Sequence, residues 1–179
     1  MAFTTLSKKL EMWAQERVPG LRGYLKKENL RDADKLIRDE LVKRLEAVKQ
    51  RLEDAKAERL DRGSLQNLDK LERACSKIDQ VRESIRFAAR GYRGLFDPQE
   101  VAENDLVNLL NFDEKLFEVV EALGAEAQKV AALGDDELLA ALRNFEKQVS
   151  AFDQTLGERE KYASDKLPGG AAGGAGPAV

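Results

Sequence analysis

The sequence predicts an all-α protein, an elongated antiparallel bundle of about four long amphipathic helices with a short N-terminal helix and a disordered C-terminal tail. Ala, Glu, Lys, Leu and Arg dominate positions 25–90, a composition typical of long helices and coiled coils. Apolar residues recur at steps of three and four along most of the chain, which places them on one helical face. The expected units are the N-terminal helix at 1–20, the bundle at 21–166 and the tail at 167–179.

The first segment predicts a short amphipathic helix that ends near Arg17, because Pro19 cannot continue the hydrogen-bond ladder. Its apolar face comprises Leu6, Leu10 and Trp13. Such a face beside Lys8 and Lys9 is compatible with a helix that lies on a membrane surface. A helix that packs back on the bundle explains the same pattern and is favoured, since acidic residues dilute the positive charge.

A second helix is expected from Leu21 to Asp61, unless Asn29 caps a new helix and breaks it there. Its apolar positions are Leu30, Ala33, Ile37, Leu41, Leu45, Val48, Leu52 and Ala55. Unbroken, this helix would reach roughly 60 Å. It would then overhang the following helix, so the N-terminal helix, the later helices or another chain must cover the end of the stripe.

Gly63 ends the second helix and Ser64 is the expected N-cap of the third. The stripe of the third helix comprises Leu68, Leu71, Cys75, Ile78, Arg82, Ile85 and Ala89. A short turn between two such stripes predicts an antiparallel, coiled-coil-like hairpin. Cys75 lies on the stripe and is expected to be a buried, unreactive thiol rather than a redox group.

A turn rich in sequence signals follows at 91–100. Asp97 suits an N-cap, Pro98 the first helical position and Glu100 the third, while Phe96 and Val101 occupy the positions of a hydrophobic staple. The candidate partner surface lies in this turn and comprises Tyr92, Arg93, Leu95 and Phe96. These side chains either face a partner or close the end of the bundle, and the sequence does not decide between the two.

Two further helices complete the bundle. The apolar face of the first comprises Leu106, Leu109, Leu110, Phe117, Val120 and Leu123. Gly124 and Gly134 bracket an Ala-rich segment that is either helical or a bent connection. The last helix is expected to begin at Asp135, where acidic residues favour a helix N-terminus, and to end near Ser164. Its stripe comprises Leu138, Leu142, Phe145, Val149, Phe152 and Leu156.

Charged residues that interrupt the apolar faces are candidate buried polar groups, namely Asp34, Asp113, Arg82 and Arg86. Asp113 either pairs with Arg82, Arg86 or Arg90 in a recognition site, or forms an internal ion pair that fixes helix register. The internal ion pair is favoured because an unpaired buried carboxylate is costly. The same interpretation is favoured for Asp34. The arginine ridge that runs from Arg82 to Arg93 could bind phosphate, but nearby acidic residues favour a solvated or internally paired ridge.

Composition argues against several functional classes. The chain has no histidine and a single cysteine, so we expect no cofactor, no metal site of the usual kinds and no enzyme activity. The net charge is −3, which argues against nucleic-acid binding. No run approaches the ~20 apolar residues that span a bilayer. A cytoplasmic location is expected, since a charged helix occupies the position of a signal peptide.

These patterns predict a non-enzymatic helical interaction or scaffold protein, such as an adaptor or assembly subunit. It would bind a protein partner, or another copy of itself, through apolar helix faces. The alternative is a peripheral membrane protein that uses the N-terminal helix and its face of Leu6, Leu10 and Trp13.

Overall fold

The computed structural model describes residues 12–14, 16–18, 21, 30–91 and 103–166, and the structural statements below concern these residues. They form a short helix α1, over 12–14 and 16–17, and four long ones. The long helices are α2 (Leu30–Asp61), α3 (Leu68–Gly91), α4 (Glu103–Val130) and α5 (Asp135–Lys166). The predicted all-α helical bundle is therefore confirmed.

The four long helices form two hairpins that lie side by side. Helix α2 packs against α3 and α4, and α5 packs against the same two helices, which leaves α3 diagonal to α4. Arg44 contacts Glu121 and Arg51 contacts Gly124, so α2 and α4 run parallel. Consecutive helices are antiparallel, as predicted, but the contacts between hairpins are parallel. We call the end where α2 and α4 begin the lower end, and the end with residues 62–67 and 131–134 the upper end.

The predicted stripes form the core of this bundle. Every predicted stripe residue of α2 between Ala33 and Ala55 is buried. The same holds for every predicted stripe residue of α5 between Leu138 and Leu156. On α3 the stripe turns toward Val81, which is buried, while Arg82 remains partly accessible. Apolar burial at steps of three and four on every long helix is the main source of stability in such bundles.

Helix α2 spans Leu30–Asp61, which is 32 residues or about 48 Å. The predicted break at Asn29 lies outside the described residues. Ala33, Ile37 and Leu41 near its start are buried within the chain. Helices α3 and α4 run along α2, so the stripe is covered without a second chain.

The turn between α2 and α3 departs from the prediction. Gly63 adopts a φ of 73°, and the amides of Gly63 and Ser64 donate to the carbonyls of Leu60 and Arg59 at 2.9 Å each. These bonds form a Schellman motif that ends α2. Ser64 does not cap α3, which begins at Leu68. The Ser64 hydroxyl instead lies 3.4 Å from Asp135 of the other hairpin.

Gly124 lies inside α4, which continues to Val130, so the Ala-rich segment is largely helical. A Cβ at Gly124 would lie 3.0 Å from Nη1 of Arg51, and that nitrogen donates to the Gly124 carbonyl at 3.2 Å. The glycine therefore admits a close approach of Arg51 rather than ending a helix. The predicted helix start at Asp97 and Pro98 and the predicted disordered tail lie outside the described residues.

Candidate functional site

A network of buried charges crosses the lower end of the bundle. Arg159 of α5 donates from Nε to Asp113 of α4 at 2.6 Å and from Nη2 to Asp34 of α2, also at 2.6 Å. Nη2 also lies 3.3 Å from the second oxygen of Asp113, so this ion pair is bidentate. Arg159 and Asp113 are only 4% and 1% exposed. Charge-assisted, bidentate pairs of this kind fix geometry as well as adding energy.

Arg38 extends the network to all four long helices. Its Nε donates to Asp34 at 2.8 Å and its Nη2 donates to Glu160 at 2.8 Å. Its Nη1 lies 3.4 Å from the carbonyl oxygen of Ile85 on α3. Asp34 therefore accepts hydrogen bonds from two guanidinium groups, and each helix contributes at least one group to the lower end.

The two buried aspartates respond oppositely to this environment. Burial opposes ionisation of Asp34, but Arg159 and Arg38 outweigh it and lower the pKa of its carboxyl. Burial raises the pKa of the Asp113 carboxyl, although Arg159 acts in the other direction. Burial alone would lower the pKa of Arg159, yet Asp113 and Asp34 raise it well above its ordinary value. Arg159 is therefore a permanent cation in the core.

Asp113 forms an internal ion pair, the interpretation favoured from the sequence, and its partner is Arg159 rather than Arg82 or Arg86. Arg82 pairs with Asp79 at 2.8 Å and with Glu46 of α2, while Arg86 is about half-exposed and pairs with Glu83. The physical reason is the helix order, because α3 lies diagonal to α4. The exposed position of Arg86 means that it is not a buried polar residue. The side chain of Arg90, the third candidate, lies outside the described residues.

Helix α1 lies against α2 and α4. Ala14, Val18 and Leu21 are at most 1% exposed and belong to the main core cluster. The Trp13 ring stands edge-on to the ring of Phe117, with 5.6 Å between centroids and an interplanar angle of 76°. Trp13 is thus packed on the bundle, which is the arrangement favoured from the sequence. Leu6 and Leu10, the rest of the proposed membrane face, lie outside the described residues.

Arg44 of α2 holds α1 in place. Its Nη2 donates to the carbonyl oxygen of Arg17 at 2.7 Å and its Nη1 donates to Glu121 of α4 at 3.1 Å. Its guanidinium carbon lies 4.9 Å from the centroid of the Phe117 ring, within the range of a cation–π interaction. Arg17 also pairs with Glu121. A cation at the last carbonyls of α1 is favourable for the helix dipole.

The surface that holds α1 continues toward the upper end as a groove of about 380 Å³. We call this surface the α2–α4 groove. It includes the residues that α1 contacts, namely Phe117, Arg44 and Glu121. Beyond them it extends along both helices, and its remaining lining residues are Ala47, Val48, Arg51, Val120, Gly124, Ala125 and Gln128. The small side chains leave room at the bottom, while Arg51 and Gln128 supply polar groups at the edge.

The remaining sequence predictions concern the Cys75 thiol, metal sites, membrane-spanning helices and the candidate partner surface. Cys75 is buried, and desolvation raises the pKa of its thiol to about 11. No group of three or more Cys, Asp or Glu residues there could hold a metal ion. None of its helices combines the length and apolar character needed to cross a membrane. The candidate partner surface of Tyr92, Arg93, Leu95 and Phe96 lies outside the described residues.

Comparison with protein-family models, curated proteins and solved structures finds no significant match to this chain.

Sequence reasoning misses Arg159, Arg38 and Arg44 as site residues. Arg159 could have been found, since it continues the α5 stripe three residues after Leu156. Arg44 carries no such signal, because its position on α2 fits an ordinary ion pair with Glu40.

Proposed function

We propose that the chain is a non-enzymatic interaction protein that binds an amphipathic helix of a protein partner in the α2–α4 groove. The observation that supports this proposal is the position of α1. Ala14 of α1 and two apolar residues that follow the helix, Val18 and Leu21, reach almost complete burial against the bundle. A surface that accepts one amphipathic helix has the shape and chemistry to accept another, and helix-in-groove binding is a recurring recognition mode.

Helix α1 contributes to the core, but the four long helices also pack against one another without it. Each long helix already packs against two neighbours, and the fully buried residues Leu45, Leu116 and Ile78 come from three of them. Residues 18–29 separate α1 from α2 along the chain. Release of α1 would therefore expose the groove while leaving the main helix contacts intact.

A labelled peptide of residues 1–21 tests whether the groove accepts a helix from outside. The receptor is the full chain with Val18→Asp, because a buried, unpaired carboxylate is costly and should release the chain's own α1. We expect the peptide to bind this variant saturably, by fluorescence anisotropy, and to bind the wild-type chain at least about tenfold more weakly, because a tethered helix competes at millimolar effective concentration.

Met12→Asp is the matched control receptor, since Met12 is 62% exposed and its substitution adds the same charge without disturbing the docked face. It should bind the peptide as weakly as the wild type. A peptide that itself carries Val18→Asp should not bind any receptor. Absence of binding to a Val18→Asp chain that keeps its helical circular dichroism would contradict the proposal.

Self-association through the same groove is the other form of this proposal, since α1 of a second copy could occupy it. Light scattering behind a sizing column separates the two forms. A mass that stays near 20.0 kDa over a range of concentrations favours an outside partner. A concentration-dependent doubling that Val18→Asp abolishes indicates exchange of α1 between copies.

A peripheral membrane role is the alternative, and it requires Trp13 to leave the ring of Phe117. Met12, a large apolar residue exposed on α1, is the observation in its favour. Flotation of the full chain with anionic liposomes tests it against Trp13→Glu. Flotation that this substitution abolishes would support membrane binding, whereas no flotation of the wild-type chain is the result expected for the groove proposal.

A further inference from the structure

The docked α1 has a defined direction and register in the α2–α4 groove. Trp13 contacts Phe117, and Arg17 contacts Glu121. Both contacts are separated by four residues on α1 and by four residues on α4, so α1 runs parallel to α4, and therefore to α2, in a fixed register. A contact that recognises the direction of α1 would hold it in this orientation.

Arg44 supplies that contact. Its hydrogen bond to the carbonyl oxygen of Arg17 places a cation at the end of α1 where the helix dipole is negative. A backbone carbonyl is present in any helix, so this bond selects direction rather than sequence. A helix docked antiparallel would direct amide groups toward the guanidinium, which could offer no acceptor to them.

Two side chains of the groove contact specific residue types. The buried ring of Phe117 has the Arg44 guanidinium near it and the edge of Trp13 beside it. Glu121 accepts from both Arg44 and Arg17, so its carboxylate contacts a cation of the docked helix as well as one of the groove. An aromatic residue and a cation four residues later match these two positions.

We infer that the α2–α4 groove selects a partner helix that lies parallel to α2 and α4 and carries a cation four residues after an aromatic residue. A small residue follows the aromatic one, as Ala14 follows Trp13, and a branched aliphatic residue follows the cation, as Val18 follows Arg17. This inference rests on the proposed function, and it specifies the partner helix by its charge, its aromatic residue and its direction.

A double-mutant cycle tests the cation. The receptors are the Val18→Asp chain with Glu121 or with Glu121→Gln, and the probes are peptides 1–21 with Arg17 or with Arg17→Gln. On the Glu121 receptor we expect the Arg17→Gln peptide to bind roughly fivefold more weakly at low salt. On the Glu121→Gln receptor the two peptides should bind equally, and the difference on the Glu121 receptor should shrink as salt is added.

The outcomes separate this inference from the proposed function. Peptides that bind, but whose affinity ratio is the same on the Glu121 and Glu121→Gln receptors, would overturn the selectivity and leave the groove proposal standing. No binding of any peptide to a folded receptor would overturn both. If the Val18→Asp chain does not fold, the two peptides are compared on the wild-type chain, where the competing α1 is common to both and their affinity ratio keeps its meaning.

The orientation of the bound peptide helix is tested by a separate measurement. A nitroxide label at the C-terminal end of the Arg17 peptide should broaden the amide resonances near Ala125 of α4 and leave those near Asp113 sharp. The reverse pattern would overturn the parallel orientation. A Trp13→Leu peptide completes the test, since loss of the edge-on contact with Phe117 should weaken binding severalfold without changing the salt dependence.

Discussion

Both ends of the bundle are closed by buried arginines, Arg159 and Arg38 at the lower end and Arg59 at the upper end, but with different partners. At the lower end, Arg159 pairs with the carboxylates of Asp113 and Asp34 inside the core. At the upper end, Arg59 is 5% exposed, donates to the carbonyl oxygen of Leu133 at 2.9 Å and pairs with Asp135. Asp135 is 38% exposed, so solvent reaches the upper pair and not the lower one.

This difference decides how much each arginine matters for stability. Removal of Arg159 leaves Asp113 buried without its main partner, and water cannot replace the lost hydrogen bonds. Removal of Arg59 leaves a carbonyl and a partly exposed carboxylate that water can reach. A buried ion pair is therefore costly to break from one side, although it is a weak source of net stability when intact.

The largest effect is expected for Arg159→Met, which should lower the free energy of unfolding by about 3–5 kcal/mol. Urea denaturation followed by circular dichroism measures it. Arg143→Met is the matched control, because Arg143 lies exposed on the same helix, and it should change stability by less than about 0.5 kcal/mol.

Urea denaturation also shows whether the loss in Arg159→Met comes from the unpaired buried carboxylates or from a net stabilising contribution of the network. Replacement of Arg159, Asp113 and Asp34 together by Met, Leu and Leu should recover much of the stability lost in Arg159→Met, because no buried carboxylate then lacks its partner. Arg38 and Glu160 retain their own pair at 2.8 Å. A triple variant less stable than Arg159→Met would show that the network contributes net stability.

A smaller effect is expected at the upper end. Arg59→Met should cost about 1–2 kcal/mol, the loss of hydrogen bonds whose acceptors water can partly satisfy. Arg62→Met is the control at the same end, since Arg62 is 64% exposed and pairs only with Glu58 of α2 among the described residues. It should be nearly neutral. An Arg59→Met loss as large as that of Arg159→Met would contradict the comparison between the ends.

The sequence predicted the helices and their buried faces, because steps of three and four are a local property of the chain. It also singled out Asp34 and Asp113, since a carboxylate on an apolar stripe is conspicuous. It did not identify Arg159, Arg38 or Arg59 as buried, because arginine on a helix is usually exposed or partly solvated.

The order of the helices was beyond sequence reasoning for a different reason. A connection of residues 92–102 is long enough to lead to an adjacent or to a diagonal helix, and helix periodicity is the same in both cases. The partner of Asp113 depends on this order, so the sequence favoured an internal ion pair for Asp113 but did not identify Arg159 as the partner. Ser64 likewise bonds to Asp135 across the upper end, a contact that no local capping rule contains.

The smallest expected effect concerns pH and separates the two aspartates of the lower end. The folded-state pKa of Asp34 is lowered, so its contribution to stability is present above its unfolded pKa of about 3.9 and is lost as the pH falls through the folded value. The folded-state pKa of Asp113 is raised, so its contribution is present below that unfolded value and is lost as the pH rises through the folded one.

Urea titrations of the wild type, Asp34→Asn and Asp113→Asn between about pH 3 and pH 7 reveal these opposite signs. As the pH falls, the stability of the wild type should decline relative to Asp34→Asn and rise relative to Asp113→Asn. The difference between the wild type and Asp34→Asn serves as the control for the difference between the wild type and Asp113→Asn, because each variant removes one carboxylate from the same network. Differences with the same sign would mean that Arg159 governs both carboxyls alike, and the buried position of Asp113 would then carry no electrostatic cost of its own.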